Sequence, residues 1–232
     1  MVVAGKIFRL AEDLPTSEIK SSLSEYHVEE TFEEGEYHFP IMKEVTSIRA
    51  EGRGIRGLYS HDFISRVYHR GQVIPQPRTV EAVIDFQLAP SGTFLTVLEK
   101  KRRANFIATQ LSRVIYARSD AILEARISPE TLREFHAKNP QETKIIFFDN
   151  VDIPNIDKLS LYGTDLIDTK LFEDYSKHGD PWYIVYRSKP TGLLVGLTRN
   201  CSVTAFSLRD KDKFLEYVHK EVLPLIMKKT KT

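Results

Sequence analysis

An α+β fold is predicted for this chain: two tandem half-domains, residues 1–118 and 119–232, forming curved antiparallel sheet with the helices on one face. Three observations predict it. The stretch from Glu36 to Leu98 has no helical period and is divided by glycine and proline, as strands are. Amphipathic segments of period 3.6 close both passes. The order strand, helix, about four strands, long helix runs through the chain twice, from Lys6 to about Tyr116 and from Ile122 to about Lys228.

In the first pass, Lys6-Ile-Phe-Arg-Leu alternates as a strand does, and Asp13-Leu-Pro-Thr-Ser offers a helix start with Pro15 early in the helix. Ile19, Leu23 and Tyr26 follow at helical spacing, so that helix should reach about His27. Strands are expected at Tyr37–Met42, Ser47–Arg53, Ile64–Tyr68, Val80–Leu88 and Phe94–Lys100. The turns expected between them fall at Gly54, Gly57, Gly71, Pro75, Pro77 and Pro90-Ser91-Gly92. Phe106, Ile107, Leu111, Val114 and Ile115 then mark a helix from about Arg102 to Ala117.

The second pass opens with a strand from Ile122. Ser128-Pro129 is a cap followed by proline at the first helical position, and this helix should stop at Asn139-Pro140. Strands are expected at Lys144–Ile153, Lys158–Tyr162, Trp182–Arg187, Leu193–Thr198 and Val203–Ser207, with a short helix within Leu166–His178. Asp210–Met227 reads as the closing helix, kinked or ended by Pro224, with a frayed tail beyond it.

Composition bounds the function. The 232 residues are 41% hydrophobic and 28% charged, enough for a real core, and no apolar run approaches the ~20 residues of a membrane span. No secretory leader is expected at the start, and the single cysteine, Cys201, excludes an internal disulfide and a cysteine zinc site. An intracellular location, cytoplasmic or nuclear, follows as the expectation. Cys201 reads as a packing or surface thiol. The histidines have no ligand spacing, and neither a metal nor another cofactor is expected.

Net charge is only +1, but it is unevenly spread. Residues 1–36 hold three basic and nine acidic residues, and residues 37–118 hold thirteen basic and six acidic. The acidic run Glu29–Glu36 reads as a solvated loop, or as a mimic of an anionic ligand folded over the basic middle.

That basic middle carries the candidate site. Arg49, Arg53 and Arg56 alternate with glycine, which lets backbone approach an anion while guanidinium groups fork onto it. Arg66, His69, Arg70 and Arg78 continue the series, with Tyr59, Phe63, Tyr68 and His69 interleaved as stacking surfaces for bases. A solvated turn, with arginines paired to Glu44, Glu51 and Asp62, is the competing reading. Lys100, Lys101, Arg102 and Arg103 form a second basic run at a helix start, where cations oppose the helix dipole and an anionic partner would relieve the conflict.

The order of elements resembles the tandem TATA-binding-protein-like fold, in which two such halves make one saddle-shaped sheet. That resemblance implies an open sheet face for DNA, for RNA–DNA hybrids or for protein. It lies in topology: the family's DNA-wedging phenylalanine pairs have no counterpart, and the adjacent pair Phe147-Phe148 falls inside a predicted strand. Asp85 followed by Glu99-Lys100-Lys101 resembles the Asp…Glu-x-Lys core of restriction-endonuclease-like nucleases. By that resemblance Asp85 and Glu99 would hold Mg²⁺ and Lys101 would position the attacking water. Ordinary cross-strand polar pairing is the competing account of the same residues.

Three functions follow as expectations. The leading one is a non-enzymatic nucleic-acid-associated protein that contacts the phosphate backbone through the basic middle. The second is a homodimer or assembly subunit using Tyr162, Trp182, Tyr183, Tyr186 and Phe206. The third is the Mg²⁺-dependent nuclease.

Overall fold

A computed structural model describes residues 2–138, 142–163, 166 and 170–227. The chain divides into two compact units, Arg9–Leu123 and Met1–Phe8 with Glu124–Thr232. The architecture is α+β and its sheet pairing is antiparallel. Among the described residues no helix is long and apolar enough to cross a membrane.

Strand β1 (Val3–Leu10) begins the chain. The unit Arg9–Leu123 then contains α1 (Thr16–Ser24), β2 (His27–Glu34), β3 (Tyr37–Glu51), β4 (Gly54–His69), β5 (Gln72–Ala89), β6 (Gly92–Val97) and α2 (Lys101–Tyr116). Its sheet is a meander in the order β2-β3-β4-β5-β6. Two-residue loops join the first strands, and glycine supplies left-handed backbone where they turn. At the β4–β5 turn both Arg70 (φ 47°) and Gly71 (φ 86°) are left-handed, the geometry that matches the twist of a tight hairpin.

One face of this sheet carries Ile55, Tyr59, Ala82, Ile84, Phe86, Leu95 and Val97, all buried. Ile19 and Leu23 of α1 and Ala104, Ile107, Ala108 and Leu111 of α2 supply the helical side of the core. Each large apolar side chain buried this way stabilises the unit by ~1.5–3 kcal/mol.

The strands run longer than the sequence predicts. Gly54, expected in a turn, begins β4 instead, because its backbone lies against Phe86: an added Cβ would stand 1.7 Å from the Phe86 carbonyl oxygen. Gly57 continues the strand under Val45 and Ile48. Pro75 and Pro77, also expected as turns, lie within β5. They are two residues apart and so point their missing N–H groups the same way, and β6 pairs only with Ile84–Ala89. That side of β5 needs no donor at the prolines.

The acidic run is a strand, not a loop. Residues His27–Glu34 pair with β3 from His27↔Glu44 to Glu34↔Tyr37, and β2 ends the meander as an edge strand. Four glutamates on an edge discourage pairing with another chain, which accounts for the composition that concealed the strand.

The second unit adds β7 (Ile122–Glu124), α3 (Pro129–Lys138), β8 (Thr143–Asp149), β9 (Leu159–Tyr162), α4 (Lys170–His178), β10 (Asp180–Arg187), β11 (Leu194–Thr198) and β12 (Ser202–Phe206). The sheet order is β1-β12-β11-β10-β8-β9, with β7 paired to β1. Ser128 caps α3 as predicted, its hydroxyl accepting from the Thr131 N–H at 3.1 Å. The expected stop at Asn139-Pro140, part of the Leu166–His178 segment and the tail lie outside the described residues.

The closing helix comprises α5 (Lys211–Tyr217), a π-helical turn Val218–Val222 and α6 (Leu223–Ile226). Asp210 caps it by accepting from the Asp212 and Lys213 N–H groups. Pro224 has no N–H for the carbonyl four residues back, and the π-turn just ahead of it absorbs the lost bond. Phe214, Leu215, Val218 and Val222 are buried, as are Ile146, Phe148, Ile184, Val195 and Leu197 of the sheet. Cys201 is buried too, and burial pushes its thiol well above the ordinary range. It is a packing residue.

Candidate nucleic-acid interface

The predicted cations do not form one cluster. Arg53 sits in the turn before β4 and Arg70 in the turn after it. Sixteen strand residues lie between them, a span of roughly 50 Å. Both are exposed, and neither makes an ion pair among the described residues.

Other members of the predicted set are taken up by the fold. Arg56 is buried, and its Nε–H donates to Asp85 at 2.9 Å while Glu51 lies 3.7 Å from its Nη2. Tyr59 is fully buried and stacked on Tyr26, so it offers no face to a base. Alternation along β4 decides both outcomes: Tyr59 lies on the helix-covered face, and Arg56 lies opposite Asp85 across the strand pair. Arg49 stands 3.4 Å from Glu51, and Arg66 donates two hydrogen bonds to Glu34 at 2.7 and 2.6 Å. Tyr68 is exposed near the end of the β4–β5 hairpin, opposite Val73.

The nuclease set fares similarly. Asp85 has no exposed surface and its carboxylate is committed to Arg56. It lies opposite Thr96, three residues before Glu99. Glu99 accepts from the Lys100 N–H at 3.0 Å and stands 3.5 Å from Arg103. No group of three His, Cys, Asp or Glu side chains suited to a metal occurs among the described residues.

Register brings together a patch that sequence spacing does not display. On the face shared with Tyr59, Lys43 of β3 lies opposite His61 of β4, and Phe63 of β4 lies opposite Arg78 of β5. Helix α2 adds Phe106, whose ring is 5.1 Å from the His61 ring. Phe63, two residues further along β4, is 6.2 Å from the same imidazole. Phe63 and Phe106 are 38% and 42% exposed, unusual for phenylalanine beside a packed core. Arg103, one turn before Phe106 on α2, is exposed, and Arg78 is exposed with no ion pair among the described residues.

His61 reports the charge of this patch. Burial lowers its pKa most, Lys43 and Arg103 lower it further, and Asp62 opposes them. Its Nδ1 is shielded from solvent and has no hydrogen-bond partner among the described residues. At the start of α2, Lys101, Arg102 and Arg103 fill the first turn with no acidic residue among them. Lys101 and Arg102 are exposed and make no ion pair among the described residues. Lys43, His61 and Phe106 are thus the residues that the basic constellation alone does not reveal, and register joins them to its Phe63 and Arg78. The available signal is the alternation Tyr59-x-His61-x-Phe63, with one face of β4 carrying three rings.

In the second unit, Tyr162 is 65% exposed and contacts Phe147, which also meets Trp182 and Tyr183. Tyr183 lies across Gly196, where a Cβ would be 2.5 Å from its hydroxyl. Tyr186 is not available to a partner: it is buried, and its hydroxyl bonds to that of Tyr217. Phe206 is half-buried.

Comparison with protein-family models and with curated proteins finds no match to this chain.

Proposed function

We propose that this protein associates with nucleic acid without catalysing a reaction on it, holding the phosphate backbone at the basic surface where α2 begins. The observation that carries this reading is the run Lys101-Arg102-Arg103 beside Lys43 and Arg78, with exposed rings among the cations. Cations at a helix start oppose the dipole, and of the three only Arg103 meets an acid among the described residues, Glu99 at 3.5 Å. A polyanion supplies the remaining counter-charge and releases its condensed counterions on binding.

The reading also includes duplication. The element order β1-α1-β2 to β6-α2, followed by β7-α3-β8 to β12 with α4 inserted before β10 and a closing helix, supports two half-domains of common design. The shared order is the ground for comparing them with tandem TATA-binding-protein-like folds.

The test is fluorescence anisotropy of a labelled oligonucleotide against salt, with Lys101, Arg102 and Arg103 changed together to Ala. Loss of three phosphate contacts lowers the slope of log K against log salt by about 2 for a single strand. An unchanged slope, or no binding by the unmodified protein at 50 mM salt, contradicts the reading.

A further inference from the structure

We infer that the ligand of this surface is single-stranded nucleic acid, its bases stacked on Phe63 and Phe106 and its phosphates held by Lys43, Arg78 and Arg103. The inference rests on the nucleic-acid reading and adds the class of ligand and the residues that select it.

The rings carry the argument. His61 contacts both Phe63 and Phe106, with tilts of 41° and 45° to them, and both phenylalanines keep 38% and 42% of their surface exposed. Tyr59 lies 5.7 Å from His61 on the core side and anchors the group. The group is buried at Tyr59 and exposed at Phe63 and Phe106. A duplex keeps its base faces inside its own stack and presents phosphate and groove edges to a sheet surface. Only unpaired bases can lie on rings set in a sheet and on a helix.

Charge chooses a polyanion over an apolar peptide or a second copy of the chain. Arg78 stands directly opposite Phe63, Lys43 directly opposite His61, and Arg103 one helical turn from Phe106. The acids that meet these cations are Glu30 at 3.4 Å from Lys43 and Glu99 at 3.5 Å from Arg103, both at the long end of ion-pair distance.

The experiment compares binding of a labelled single-stranded oligonucleotide, a duplex of equal length and inorganic polyphosphate, which has charge and no bases. The proteins are the unmodified chain, Phe63→Ala with Phe106→Ala, and Phe63→Leu with Phe106→Leu. The leucine pair keeps apolar packing against His61 and removes the rings. Each lost ring is expected to weaken single-strand binding by about five- to a hundredfold. Polyphosphate binding is expected to stay unchanged, and the duplex to bind more weakly than the single strand. Equal binding of single strand and duplex, or leucine variants that bind the oligonucleotide as the unmodified protein does, overturns the inference and leaves charge-driven binding standing. Failure of all three probes to bind overturns both the inference and the reading beneath it.

Discussion

Arg56 donates its Nε–H to the carboxylate of Asp85 at 2.9 Å, and the two residues oppose each other on β4 and β5 with almost no exposed surface. One contact thus removes an arginine from the expected phosphate site and an aspartate from the expected metal site. A buried pair of this kind is costly to break from one side, because the remaining charge stays buried. Asp85→Ala is expected to cost about 3–5 kcal/mol, and Arg56→Met with Asp85→Leu far less. Urea unfolding followed by circular dichroism checks the order; a milder effect for the single variant than for the double contradicts it.

Gly54 and Gly57 separate two roles of glycine on one strand. A methyl at Gly54 meets the Phe86 carbonyl at 1.7 Å, and backbone must move to admit it. At Gly57 the nearest atoms are side-chain carbons of Ile48 and Val45 at 3.3 Å, which can yield. Gly54→Ala should destabilise by about 3 kcal/mol or more and Gly57→Ala by about 1 kcal/mol. Thermal melts of the two variants measure the difference.

His136 makes the second unit sensitive to acid. It is 3% exposed, its Nδ1 is 3.0 Å from the Thr143 hydroxyl, and burial lowers its pKa to about 4. The unfolded histidine takes a proton near pH 6.5, and the folded one resists until about pH 4. Its contribution is therefore fully present above pH 6.5 and is lost as pH falls toward 4, by up to about 3 kcal/mol. The urea midpoint should decline across that window, and His136→Gln should flatten the decline. An equal slope in the variant contradicts the assignment.

Glu34 and Arg66 join the ends of two hairpins, β2–β3 and β4–β5. The hydrogen bonds from Arg66 are the main cause of the lowered Glu34 pKa, with its positive charge adding to them. A depressed carboxyl stabilises the fold above its unfolded pKa, and this contribution disappears as pH drops through the folded value. Carboxyl NMR should place the Glu34 midpoint below that of an ordinary glutamate, and Arg66→Ala should return it upward. A midpoint unmoved by that change rules out the pairing in solution.

Most helices and two of the caps were legible because their signals are local, although α1 has no side-chain cap and ends at Ser24, short of the expected His27. Ser128 and Asp210 cap where their side chains suggest, and the period of α2 shows in Ile107 and Leu111. Long strands were not legible, since glycine and proline are read as breaks whatever they pack against. Gly54 and Gly57 lie under other residues, and Pro75 and Pro77 face a side where β6 does not pair. Strand β2 was hidden by its glutamates. At the site, the run Lys100–Arg103 stands out in the sequence, but the fates of Arg56 and Tyr59 depend on which strand lies opposite. The patch around His61 depends on register in the same way: Lys43 and Arg78 are eighteen and seventeen residues away from it and meet it only through pairing.

Photo-crosslinking tests the central claim most directly. A single-stranded oligonucleotide carrying 5-iodouracil is bound, irradiated and digested with the protein, and the modified peptides are located by mass spectrometry. Adducts are expected on peptides containing Phe63 or Phe106, and excess polyphosphate or raised salt should suppress them. Adducts confined to the Tyr162–Tyr183 region, or none at concentrations that saturate binding, would contradict the account.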